Sequence, residues 1–120
     1  MLKKLIATLA LIFPLALGAT GCASEPVELG ANTVIIDVRT PGEFAGGHLE
    51  GALNIDVQSP DFAAQISQLD PAGDYFVYCR SGNRSGQAIS QMSNMGFTSM
   101  TNGGSVSKAS SLSGVQVVID

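Results

Sequence analysis

The chain has 120 residues, 45% hydrophobic and 13% charged, with a formal net charge of −4. That length holds one domain, the composition excludes a disordered or nucleic-acid-binding tail, and the acidic balance argues against a polyanionic partner, nucleic acid included. Two cysteines and one histidine cannot supply the four ligands of a closed structural zinc site, and no Cys-x-x-Cys-His haem attachment is present, so no metal is expected.

The N-terminus is patterned as an export address. Lys3 and Lys4 precede an uncharged stretch from Leu5 to Leu17 that is broken only by Pro14, and Gly18 to Ala23 are small or polar. This is the order of a secretory signal over residues 1–21, and it falls short of the roughly 20 apolar residues of a spanning helix. The run Leu17-Gly18-Ala19-Thr20-Gly21-Cys22 resembles a bacterial lipoprotein box, with Gly21 in place and Ala19 where Leu is usual. Lipidation of Cys22 would anchor the protein to the envelope membrane, facing the periplasm, because several acyl chains hold where one binds only marginally. The alternative is an ordinary cut after Gly21 or Ala23, leaving a soluble periplasmic protein. Without residues 1–21, four cations remain (Arg39, Arg80, Arg84 and Lys108) against all ten acids, so the side-chain charge is 4 − 10 = −6.

Residues 22–32, with two acids, Pro26 and Gly30, read as a tether to a domain over 33–120. Thr33 to Val38 is a near-continuous β-branched run, expected to be a strand buried on both faces. Pro41-Gly42-Glu43-Phe44 opens a short turn or helix, with Thr40 as its cap and Gly46-Gly47 at its end. A second strand is expected over Ala52 to Ile55. Phe62, Ala63, Ile66 and Leu69 recur at helical spacing, which predicts an amphipathic helix from Pro60 to Leu69. Asp74 to Tyr78 is a third buried strand and delivers Cys79. After a turn over Arg80 to Ser85, Ala88, Ile89, Met92 and Met95 form the apolar stripe of a second helix that Gly96 stops. A fourth strand over Phe97 to Thr101, a turn at Asn102-Gly103-Gly104 and a β-rich tail from Val115 to Ile119 complete the chain. The Ser-rich stretch between 105 and 113 has no legible pattern. Strands alternating with helices imply an α/β domain with a mostly parallel sheet.

In such sheets ligands sit at the carboxyl ends of strands, where Cys79 falls. The following residues, Arg80-Ser81-Gly82-Asn83-Arg84-Ser85, join a helix N-terminus with its unpaired amides, a permissive glycine and two guanidinium groups. Each favours a thiolate, so Cys79 is expected to be more acidic than a free cysteine, in a cradle that suits a small oxyanion. A buried inert cysteine does not explain so electropositive a loop. A Cys22–Cys79 disulfide is chemically open to an exported protein.

Four blocks now resemble a single-domain rhodanese: Asp37 to Phe44, Gly47 to Ile55, Tyr78 to Ala88, and Gly96-Phe97 with Gly103-Gly104. The likeness is greatest to the small exported rhodaneses of the phage-shock type. The resemblance implies an α/β fold with a mostly parallel central sheet flanked by helices, acting as a monomer without cofactor. It implies a sulfurtransferase in which Cys79 takes the outer sulfur of thiosulfate or a related donor as a persulfide and passes it to a thiophile such as cyanide or a thiol. Amides from Arg80 to Ser85 would hold the persulfide charge, with Arg80 meeting the sulfonate. Cys79-x4-Arg84 is one residue tighter than the Cys-x5-Arg of similarly folded phosphatases, which disfavours phosphatase or arsenate reductase activity. Asp37 and Arg39 are expected to form a structural ion pair near the site, His48 to be structural, Met92 and Met95 to be core, and Glu43 and Glu50 to be solvated. A non-catalytic module that carries sulfur, senses redox state or binds a partner is the alternative. The chain departs from the family in having little room for a helix before Asp37, and in lacking an aromatic residue after Gly104.

Overall fold

The computed structural model describes residues 26–120, so the export signal and Cys22 lie outside the described residues. The elements run β1 (Val34–Asp37), α1 (Pro41–Ala45), β2 (His48–Leu49), β3 (Leu53–Asn54), α2 (Phe62–Ile66), β4 (Asp74–Tyr78), α3 (Asn83–Asn94), β5 (Ser99–Gly104), α4 (Val106–Ser113) and β6 (Val117–Val118). Four strands form one parallel sheet in the order β3-β1-β4-β5, and β2 pairs antiparallel with β6 beside it.

Branched and aromatic side chains at successive positions of β1 and β4 suit strands covered on both faces. Adjacent residues therefore feed two cores. Ile36 and Val77 join Phe62, Ile66, Met92 and Phe97 on one face, while Ile35, Phe76 and Tyr78 join Leu49 and Ala109 on the other. The first core is closed by α2 and α3 and the second by α4. At the head of α1, Thr40 Oγ1 accepts from the Glu43 amide and Glu43 reaches back to the Thr40 amide, a reciprocal capping box.

The structure departs from the sequence expectations at four places. Asn102-Gly103-Gly104 is the end of β5, not a turn, and a register shift opposite Val77 and Tyr78 pairs Tyr78 with Gly104. The Ser-rich stretch is a helix, α4. Ser105 caps it by accepting from the Lys108 amide at 3.1 Å, Ala109 is its one buried residue, and Gly114 ends it at φ 76°. Packing of a single small side chain leaves little trace in a hydropathy pattern. The helix expected from Pro60 to Leu69 is regular only over Phe62–Ile66 and is continued by turns on both sides. The two-residue strand β2 exists because β6 folds back onto it, a pairing invisible locally.

Gly103 has no space for a side chain, since a Cβ there would lie 2.7 Å from Phe76 Cζ and 3.2 Å from Ala109 Cβ. Gly103→Ala is expected to lower stability by about 1–3 kcal/mol in urea titration, the usual cost of overpacking. Gly42→Ala in α1, with nothing within 4 Å of the added methyl, is expected to leave stability unchanged or raise it by up to about 1 kcal/mol.

Candidate active site

Cys79 is the first residue past the end of β4, and its main chain is still tied into the sheet. Its amide donates to Gly104 O at 2.9 Å, while the preceding Tyr78 carbonyl accepts from the Val38 amide at 3.1 Å. The chain then turns through Gly82 at φ 97°, a left-handed conformation that favours glycine, and enters α3. This turn brings amides back over the sulfur. The Gly82 amide donates to Cys79 Sγ at 2.8 Å, and the Ser85 hydroxyl lies 3.4 Å from it.

Burial pushes the Cys79 thiol up. Hydrogen bonds from the Ser85 hydroxyl and from the Ser85, Ser81 and Gly82 amides more than offset that, so the thiol lies below the ordinary cysteine value. The largest contributions to this acidity come from amides and one hydroxyl. Cys79 is fully buried, while Arg80, Ser81 and Asn83 around it are exposed. It is a free thiol and the one cysteine among the described residues.

Asn102 fixes the loop from the neighbouring strand. Its Nδ2 donates to Gly82 O at 3.2 Å, and its Oδ1 accepts from the Ser85 hydroxyl at 2.7 Å and from the Gly104 amide at 2.9 Å. The Ser85 hydroxyl has one proton and three acceptors in reach, Asn102 Oδ1, Gly82 O and Cys79 Sγ, so only one is served at a time. Sequence reading placed Asn102 in a turn, and an Asn before two glycines carries no local signal of this contact.

The arginines have separate duties. Arg39 is buried and binds Asp37 through Nε at 3.0 Å and Nη2 at 2.6 Å, with Nη2 also donating to Gly47 O at 2.6 Å. Its guanidinium carbon lies 5.9 Å from the centroid of the Tyr78 ring. Arg84 does not stand open to a ligand. Its Nη1 and Nη2 donate to the two oxygens of Glu43 at 2.7 and 2.9 Å. Arg84 and the Thr40 contacts hold the Glu43 carboxyl at about 2, so the solvated role expected for Glu43 is corrected to an ion pair joining α1 to the cysteine loop. Arg80, exposed, lines a cleft of about 420 Å³ with Arg39, Glu43, Gly47, Val106 and Val117.

His48 is structural. Its Nδ1 lies 2.8 Å from Phe44 O, its Nε2 lies 3.1 Å from Asp120 Oδ2, and its ring stacks on Phe44 at 3.6 Å. Met92 is buried and Met95 packs against the same core. Glu50 is exposed and accepts from Gln116 at 3.2 Å. A larger cleft of about 630 Å³, between residues 26–29 and 111–115, involves none of the cysteine-loop residues.

The chain is similar to known proteins over most of this domain. The chain is 34% identical over 104 residues to thiosulfate sulfurtransferase PspE of Escherichia coli, covering 87% of this chain and 88% of that one. It is 38% identical over 69 residues to thiosulfate sulfurtransferase GlpE of Stutzerimonas stutzeri, covering 57% of this chain and 61% of that one. Among solved structures, a rhodanese with anions from E. coli superposes with a TM-score of 0.60 at 30% identity, over 73% of this chain and 99% of that one. The family model of the rhodanese-like domain matches residues 23–107, which span the whole parallel sheet and the loop around Cys79. With a cysteine at the end of a parallel strand, cradled by the amides that open the next helix, the chain belongs to the rhodanese-like domain family.

Proposed function

We propose that this protein is a sulfurtransferase that moves sulfane sulfur from thiosulfate, or a related anionic donor, to a thiophilic acceptor through a persulfide on Cys79. The observation that carries the reading is the Gly82 amide aimed at Cys79 Sγ at 2.8 Å, with PspE and GlpE, both thiosulfate sulfurtransferases, among its relatives. The thiolate attacks the outer sulfur of thiosulfate. The S–S bond breaks and its electron pair leaves on sulfite. The new terminal sulfur of Cys79 carries a negative charge that the loop amides stabilise as an oxyanion hole stabilises oxygen. Cyanide or a thiol then attacks that sulfur and returns the Cys79 thiolate, so no external oxidant or reductant is needed.

We further propose, on the sequence pattern alone, that residues 1–21 are an export signal and that Cys22 is lipidated in the bacterial envelope. Intact mass of membrane-extracted protein tests this, and an unmodified Cys22 overturns the anchor. The tether expected over 22–32 is corrected from Val27 on, where the Val27 amide donates to Leu112 O at 2.8 Å and Val27 and Leu29 pack against the second core.

Incubation of reduced protein with thiosulfate is expected to add the mass of one sulfur atom, and Cys79→Ser to abolish both this gain and turnover with cyanide while folding normally. Loading without multiple turnover would identify a sulfur carrier instead. Arg80→Ala is expected to raise the KM for thiosulfate about fivefold to tenfold, the loss of a charge-assisted contact to the sulfonate; an unchanged KM removes Arg80 from donor binding. The iodoacetamide reactivity of Cys79 should show a midpoint below that of a free cysteine. Alkylation follows the thiolate fraction and the Ser85 hydroxyl favours the thiolate, so Ser85→Ala is expected to move the midpoint upward.

A further inference from the structure

The residues from 26 onward contain four cations, and two are already neutralised. Arg39 is bound to Asp37 and Arg84 to Glu43. Arg80 and Lys108 take part in no ion pair among the described residues, although the chain carries ten acids. Both are exposed.

Lys108 also packs against the strand end that holds the Cys79 main chain. Lys108 is in the first turn of α4, and its stem lies across Gly104: a Cβ built on Gly104 would sit 2.9 Å from Lys108 Cδ and 3.5 Å from its Cγ. Gly104 is the residue whose carbonyl receives the Cys79 amide at 2.9 Å. Its Cα is in turn 3.4 Å from where a Cβ on Gly82 would lie. The Lys108 stem thus packs on Gly104, the strand end to which both Cys79 and Gly82 are apposed. Val106, at the start of the same helix, lines the cleft beside Arg80, and Lys108 stands outside that lining. The carboxylate on that cleft wall, Glu43, is engaged by Arg84.

Lys108 is also in a position that local helix energetics disfavour. Ser105 caps α4 and accepts from the Lys108 amide, which places Lys108 where a capping box takes Glu or Gln and where the helix dipole opposes a cation. A charge kept against the local preference, on the strand end that holds the Cys79 main chain, points to a ligand.

We propose that Lys108 is a specificity-determining residue. With Arg80 it forms a two-point cationic mouth that selects reagents carrying a terminal oxyanion, of which a sulfonate-bearing sulfur donor is the substrate. This rests on the sulfurtransferase reading for its substrate, but not for its electrostatics. The Coulombic contribution of an exposed charge acts on binding more than on the bond-breaking step.

The test compares alkylation of Cys79 by anionic iodoacetate and neutral iodoacetamide, in parallel with thiosulfate kinetics, for wild type, Lys108→Ala and Lys108→Arg. For Lys108→Ala the expected results are a loss of about threefold to tenfold in the iodoacetate rate relative to iodoacetamide, and a KM for thiosulfate raised by about the same factor with kcat within about twofold. Lys108→Arg should retain the wild-type values, which a purely structural role for the side chain would not require. An unchanged iodoacetate-to-iodoacetamide ratio in Lys108→Ala overturns the proposal, whatever the thiosulfate kinetics show. If that ratio falls but wild type takes no sulfur from thiosulfate, the sulfurtransferase reading fails and Lys108 stands as an anion selector.

Discussion

Every feature of the site depends on one constraint: Cys79 is held from two directions at once. Its main chain is fixed to the sheet by the bond to Gly104 O at 2.9 Å, so the residue cannot follow movements of the loop. Its sulfur is met by amides of the chain that leaves it, with Gly82 at 2.8 Å. A sulfur fixed by the sheet and a cradle formed by a helix start give a nucleophile with a prearranged set of donors. Preorganised donors act on developing charge without the reorganisation that water would require.

The tight fit between the loop and β5 follows from small residues. Gly82 and Gly104 approach so closely that a Cβ on Gly82 would lie 3.4 Å from Gly104 Cα, and Gly103 lies beneath the Phe76 ring. Asn102 then bonds to the loop carbonyl, the Ser85 hydroxyl and its own strand end. The bulge in β5 opposite Tyr78 is what brings Gly104, and not Gly103, alongside the end of β4. Irregularities of this kind are found beside active sites because they re-aim the chain.

Charge is arranged by sacrifice of some cations to structure. Burial of Asp37 and Arg39 is tolerated because each is hydrogen-bonded and paired. The Nη2 bond to Gly47 O carries that pair's rigidity to the segment entering β2. Glu43 does similar service at the surface, capping α1 with one oxygen and gripping Arg84 with both. Among the described residues these two pairings leave Arg80 and Lys108 as the cations outside any ion pair.

The amino-acid sequence by itself determined the parallel α/β class, the strands β1 and β4, the helix α3 and the location of Cys79 before a cationic, glycine-containing turn. Those follow from hydrophobic period, turn chemistry and residue types that act over a few positions. The motif blocks also place Asp37 beside Arg39. Tertiary structure alone decided that Arg84 faces Glu43, that Asn102 holds the cysteine loop, that Gly103 and Gly104 extend a strand, and that the Ser-rich stretch is a helix laying Lys108 against Gly104. Each of these rests on groups 17 to 41 residues apart, or on a helix whose single buried residue is an alanine. Local propensity cannot specify such contacts, because the partner that overrides it is supplied only when the sheet is assembled.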